Sequence, residues 1–308
     1  MQEDNLTFVN EFFLLGFKLS LNLRIFLFSL LLIVYCGTIC GNLLIITLVS
    51  TSKNLHTPMY FFISQLSISD ILVISDIAPN IFYILLNNGM IINFTNCLAQ
   101  LYVFCITEAS ECLLLAVMSY DRFMAICKPL HYISIMTGTL CVKLVVIIWF
   151  IGFSLSFIYV LIILGVKFCG LTIIDHLFCD LVPLHDIACS DSFPIKLTMY
   201  FLSFPFLVIP SIIIVISYVN VISVILQISS NISRQKAFST CSSHLTVVAM
   251  FYFSMFSVYV VPTKRQSSNV NKILSLLYTV LTPLVNPIIY SFRNKDIRQA
   301  VQKTFKSA

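Results

Sequence analysis

Residues Leu98–Cys127 read LAQLYVFCITEASECLLLAVMSYDRFMAIC, an apolar run interrupted by Glu108 and Glu111 and closed by the pair Asp121-Arg122. About 20 apolar residues let a helix cross the hydrocarbon of a bilayer. The run exceeds that length, so it reads as a spanning helix with carboxyl groups at membrane depth. Six more stretches share its character, at roughly 24–50, 58–86, 141–164, 197–227, 237–261 and 270–291. Lipid offers a backbone no hydrogen-bond partner, so such segments must satisfy their own amides as helices. The expected fold is an all-α membrane protein, a bundle of seven transmembrane helices over residues 24–291.

Composition agrees. Of 308 residues, 59% are hydrophobic and 10% charged, and the mean hydropathy is +0.98. Soluble domains carry about 25% charged residues. The net charge of +5 falls in short loops and the C-terminal segment, which suits a membrane surface and not a nucleic acid. Most of the eleven cysteines stand alone in apolar runs, where cysteine acts as a small hydrophobe. No HExxH, GxSxG or P-loop string occurs, so no enzyme chemistry is expected. The N-terminus lacks a basic segment followed by a cleavage site, so the first span is expected to direct its own insertion.

Orientation follows from the basic residues. Placing the N-terminus outside puts eleven of the eighteen Lys and Arg on the cytoplasmic side, the side such residues favour. Residues 1–23 would then be extracellular, with an outer loop at 165–196 and a cytoplasmic tail at 292–308. The sequon Asn5-Leu6-Thr7 would be a lumenal glycosylation acceptor. In the tail, Ile297, Val301 and Phe305 recur every fourth residue among basic side chains, the pattern of an amphipathic helix lying on the inner leaflet. Thr57-Pro58 reads as a helix start, threonine capping and proline at the first position. Pro283 and Pro287 interrupt the seventh span and free carbonyls there.

Charges inside spans are costly, about 2.5–3.5 kcal/mol each at mid-membrane. Asp70, Asp76, Glu108 and Glu111 lie within spans without a Lys or Arg partner there, so each needs water, an ion or a proton. Arg122, where the third helix leaves the membrane, either reaches the interface or pairs with Asp121. A pair that can break is a two-state element on which a cytoplasmic partner can act.

The string MSYDRFMAICKPLHY at 118–132 resembles the odorant-receptor form of the signature of rhodopsin-like G-protein-coupled receptors. Gly41-Asn42, LHTPMYF at 55–61, KAFSTCSSHL at 236–245 and PLVNPIIYSFRNKDI at 283–297 resemble the same family. So do NLTFVNEFFLLGF at 5–17 and FCGLTIIDHLFCDLVPLHDIACSD at 168–191. The resemblance implies a plasma-membrane receptor that binds small volatile molecules within its bundle. It also implies activation of a heterotrimeric G protein of the stimulatory class, which raises cyclic AMP.

Four cysteines would lie outside, where thiols pair, and four allow three connectivities. The resemblance implies Cys97–Cys179 and Cys169–Cys189. It places ligand against Phe104, Cys105, Glu108, Ala109 and Cys112 of the third span and Leu202, Ser203 and Phe206 of the fifth. Tyr252, Met255, Phe256 and Tyr259 of the sixth span complete the set with Leu276 and Thr279 of the seventh. Phe104 stands where amine-recognising relatives carry aspartate. Glu108, one turn along, could receive an amine or another hydrogen-bonding odorant, or serve as a structural carboxyl. For coupling, the resemblance points to Asp121, Arg122, Tyr218, Lys236, His244 and Tyr290. Asp70 and Glu111, with Asn286, match a site for a sodium ion or water. Phe253 departs from a frequent glycine and would crowd the sixth helix. The competing readings are a related receptor working outside the nose and an ion-coupled transporter using Asp70, Glu108 and Glu111.

Overall fold

The computed structural model describes residues 10–168, 172–188, 193–259, 268–293 and 295–307. Among them are seven helices long and apolar enough to cross a membrane. They are α1 (Leu21–Thr51), α2 (Pro58–Asn87), α3 (Phe94–Cys127), α5 (Gly138–Leu164), α7 (Phe193–Leu226), α8 (Asn231–Tyr259) and a seventh span in three parts. That last span runs through α9 (Ser268–Leu276), a π-helical segment Leu277–Leu281 and α10 (Thr282–Arg293). Short helices α4 (Pro129–Ile135) and α6 (Leu181–Asp186) lie in loops, and α11 (Lys295–Ser307) closes the chain.

The third helix is the axis of the bundle, packing on α2, α5 and α7. Close approach of α5 requires Gly152, because a Cβ there would meet Ser110 Oγ at 2.9 Å and the Ile106 carbonyl at 3.1 Å. Outward faces carry large apolar side chains, as lipid requires, including Phe150, Phe201 and Phe253. Phe253 therefore does not crowd the sixth span. It is 68% exposed and points away from the bundle.

The seventh span shows what its prolines do. Pro287 has no N–H, so the carbonyl of Pro283 lacks its helical donor, and Asn42 Nδ2 supplies one at 3.0 Å. Gly41 makes room for that meeting, since a Cβ there would sit 3.0 Å from Pro287 Cγ. Upstream, Thr282 Oγ1 donates to the Leu277 carbonyl at 3.0 Å. At the start of α2, Pro58 takes the first helical turn as expected, but the Thr57 side chain makes no capping hydrogen bond. The cap of α3 lies earlier than the apolar run, where Asn93 Oδ1 accepts from Asn96 N at 2.8 Å.

A small sheet, unforeseen from the sequence, lies at the end of the bundle where α3 begins. Strand β1 (Glu11–Leu14) pairs antiparallel with β2 (Met90–Asn93) and parallel with β3 (Ile173–Ile174). Its alternation buries Phe12 and Leu14, with Phe12 edge-on to Phe168 at 5.3 Å. At the opposite end, α11 docks through buried Ile297 and Ala300 and through Tyr60, whose hydroxyl donates to Asp296 Oδ2 at 2.9 Å.

Candidate ligand cavity

A cavity of about 300 Å³ lies between α3, α5, α7 and α8, next to the sheet end. From α3 come Phe104, Cys105, Glu108, Ala109 and Cys112, spaced so that one stripe of a 3.6-residue helix faces inward. Ser203 and Phe206 of α7 and Met255 and Tyr259 of α8 join them. These are all residues expected from the sequence.

Leu202, Tyr252, Phe256, Leu276 and Thr279 do not line the cavity. On α7 the cavity wall takes Tyr200, Ser203, Phe204, Phe206 and Leu207, while Leu202 packs on the core. Phe256 packs on that core as well. Tyr252 lies at the level of Cys112, its hydroxyl donating to the Cys112 carbonyl at 3.1 Å. Leu276 packs near Ile74 and Val280, while the Thr279 hydroxyl donates to the Ser275 carbonyl at 2.7 Å. The seventh span thus contributes nothing to this wall.

Sequence reasoning missed Leu155 and Tyr159 of α5 and Leu181, Val182, His185 and Asp186 of α6. A signal for α6 existed: Asp180 precedes a short apolar stretch and caps it, accepting from Leu181 N at 2.6 Å. Tyr200 and Phe204 line the cavity yet are 59% exposed on the flank of the bundle.

At the opposite end of α3, Asp121 is buried and accepts from Arg122 Nε at 3.0 Å, and Arg122 Nη2 also reaches Asp121 Oδ2. Its other oxygen accepts from the Tyr132 hydroxyl at 2.8 Å. Nearby, the Tyr218 hydroxyl lies 2.5 Å from His244 Nδ1, the rings stacked at 5.8 Å. The Tyr290 hydroxyl is buried without a partner. The side chain of Lys236 falls outside the described residues, as do Asn5, Cys169 and Cys189.

The sequence profile of the family described as "Olfactory receptor" matches residues 29–307. The chain is 44% identical over 306 residues to human olfactory receptor 11L1, covering 99% of this chain and 95% of that one. It is 42% identical over 306 residues to mouse olfactory receptor 5G26, covering 99% and 96%. This chain belongs to the olfactory receptor family. It is a multi-pass plasma-membrane receptor of the G-protein-coupled class and not an enzyme. The fold is that of squid rhodopsin, with a TM-score of 0.71 at 18% identity over 94% of this chain and 87% of that one.

In this olfactory receptor the cavity is roofed by the loop before α7. Cys179 is disulfide-bonded to Cys97, and its N–H donates to Gln100 Oε1 at 2.9 Å. Gln100 is buried and also donates to the Asp76 carbonyl at 3.0 Å, so one side chain ties roof, α3 and α2. Lys272 is 2% exposed. Its ammonium donates to Asp175 Oδ1 at 2.5 Å and to the Gly16 carbonyl at 2.7 Å, pinning loop and N-terminal segment to α9. The Cys97–Cys179 bond is the one the resemblance implied; the roles of Gln100 and Lys272 were not visible beforehand, because their partners lie far apart in the chain.

Two titratable groups in the roof oppose each other. Burial pushes His176 down to about 4. Its Nδ1 lies 3.2 Å from the Phe178 carbonyl and its Nε2 3.2 Å from Ser275 Oγ, so the neutral ring donates at Nδ1 and accepts at Nε2. Burial raises Asp180 to about 6, against hydrogen bonds from Tyr259 and Leu181 N. Between about pH 6 and 4 the folded roof binds fewer protons than the unfolded chain at His176 and more at Asp180. Acidification therefore weakens the roof through the first group and strengthens it through the second. Burial acts upward on Asp175 too, but the Lys272 and Ser268 bonds lower it overall, so its contribution is lost only below that window. In His176→Gln the opposing term is gone. Hydrogen exchange over 172–188 should slow as pH falls from 6 to 4, relative to the parent at each pH and after correction for intrinsic exchange. Identical pH profiles would refute the assignment.

A further polar group joins α2, α3 and α10. Asn286 Nδ2 donates to both Asp70 oxygens at 3.0 Å. Glu111 Oε1 and Asn286 Oδ1 are buried and without partners.

Proposed function

We propose that the receptor binds a small, largely apolar volatile molecule in the cavity and activates a G protein of the stimulatory class, raising cyclic AMP. The observation that carries this reading is the single helix α3, which walls the cavity at one end and holds the Asp121–Arg122 clamp at the other. Ligand acts only through unequal affinity for two states of the bundle. The state that releases Arg122 toward Tyr218 and Tyr290, with movement of the α8 segment bearing Lys236 and His244, is the one that admits the G protein. A volume near 300 Å³ is at the small end of ligand pockets, and its wall of Phe206, Leu207, Leu155 and Met255 favours shape and dispersion over charge.

In this reading the sheet end faces outward, with Asn5 glycosylated and Cys169 paired to Cys189, and the tail is cytoplasmic. Challenge of cells carrying the full chain with a broad odorant panel, read as cyclic AMP, tests it. Epitope tags at the two ends test the orientation. No response to any class at normal surface levels, or both tags on one side, would overturn it.

The hard oxygen donors of Asp70, Glu111 and Asn286, two of them orphaned, fit a sodium ion. A bound ion would supply positive charge that neutralises the carboxylates. These residues would hold it in the state where the bundle is closed around them. Asp70→Asn together with Glu111→Gln is then expected to abolish any dependence of agonist potency on external sodium. Unchanged sodium dependence would count against the site.

A further inference from the structure

The polar groups of the cavity are nearly all spoken for. Tyr159 and Ser203 hydroxyls satisfy each other at 2.6 Å, and the Tyr259 hydroxyl donates to Asp180 Oδ1 at 2.8 Å. Glu108 differs. It is 5% exposed, lines the cavity midway along its α3 stripe, and both its carboxyl oxygens are buried without a hydrogen-bond partner. A buried polar group left unmatched is costly, and in the described structure no protein group relieves this one. The relief has to come from water, a proton or the ligand.

The charges around it narrow the ligand. The described lining holds two carboxyl residues, Glu108 and Asp186, one histidine, His185, whose Nδ1 lies 4.0 Å from Asp186 Oδ1, and no lysine or arginine. Asp180 stands behind Tyr259 with one oxygen buried and unpartnered. A carboxylate entering here meets carboxyl groups and no described lysine or arginine. A ketone or ester brings only acceptors, which Glu108 can meet only while it carries a proton, because an ionised carboxylate accepts without donating. An ammonium group brings donors and the opposite charge, giving the stronger, charge-assisted kind of hydrogen bond. Leu155, Phe206, Leu207 and Met255 surround the rest of the space with apolar surface.

We infer that Glu108 is the polar anchor of the cavity and that its ligands are small aliphatic or cyclic amines, ammonium on Glu108 and hydrocarbon against α5, α7 and α8. This rests on the reading that the cavity is the odorant site. Phe104 lies one turn along α3 from Glu108 and adds an apolar wall.

The test uses the full-length receptor in cells, with surface amounts measured by labelling. The probes are matched series of amines, ketones, esters and carboxylic acids of three to ten carbons. Amines should be the most potent class. Glu108→Gln, which keeps the shape, should weaken them by at least about tenfold, the order expected for loss of a charge-assisted hydrogen bond. Glu108→Asp should restore part of the loss, and responses to ketones or esters should survive in both variants. Responses to neutral odorants without amine responses, or amine potency unchanged in Glu108→Gln, would overturn the anchor while leaving the odorant cavity intact. Silence toward every class would overturn both.

Discussion

Cys179→Ser is expected to remove most of the receptor from the cell surface and to abolish its ligand response. The bond to Cys97 closes a sequence separation of 82 residues. Loss of such a bridge costs about 2–5 kcal/mol, a large share of the usual stability of a folded domain. Local geometry adds to the loss. The Cys179 N–H is held by Gln100, and the next residue, Asp180, starts the helix whose Leu181, Val182, His185 and Asp186 wall the cavity. Freeing Cys179 therefore loosens the roof and one side of the cavity together. Cys36→Ser, at an exposed free cysteine, is the matched control and should be silent. Surface labelling and cyclic AMP measured on both variants check this. Normal surface amounts and potency in Cys179→Ser would show that Gln100 and Lys272 hold the roof unaided.

Arg122→Ala is expected to reduce ligand-dependent cyclic AMP to the level of cells lacking the receptor, without loss from the surface, while Asp121→Asn should raise the ligand-independent level. Asp121 is fully buried, and its carboxylate takes two bonds from Arg122 and one from Tyr132. That clamp holds the arginine against its own helix. Removing the negative charge weakens hydrogen bonds worth about 1.5–3 kcal/mol, and a closed-to-open equilibrium shifts about tenfold for each 1.4 kcal/mol. Basal signalling should rise several-fold or more, about the fraction of that shift the partner can read. Cyclic AMP normalised to surface receptor is the measurement. A silent Asp121→Asn with a fully active Arg122→Ala would remove this end of α3 from the mechanism.

How far the sequence could be read differs between the parts of the molecule. Each span was legible alone, because apolar length and the need for internal hydrogen bonds act on one segment at a time. The same holds for α11, whose apolar residues recur along one face. The purpose of Gly41-Asn42 was visible only as a resemblance. The structure supplies the reason, since Asn42 serves a carbonyl 241 positions away in the chain. The α3 face of the cavity was legible because its stripe follows helical spacing. Which α7 and α8 residues reach the cavity was not legible, because helix rotation is set by neighbouring helices and not by the segment itself.

By itself, then, the sequence determined that the chain crosses a bilayer seven times, where its carboxyl groups sit along those helices, and which family it joins. Only the tertiary structure decided that Glu108 is left without a partner while Tyr159, Ser203 and Tyr259 are satisfied, that Lys272 is buried against Asp175, and that a short helix walls the cavity. The physical reason is range. The bilayer imposes its rule on every residue within a segment, whereas a hydrogen bond or ion pair depends on which distant atoms the packed bundle brings within 3 Å or so.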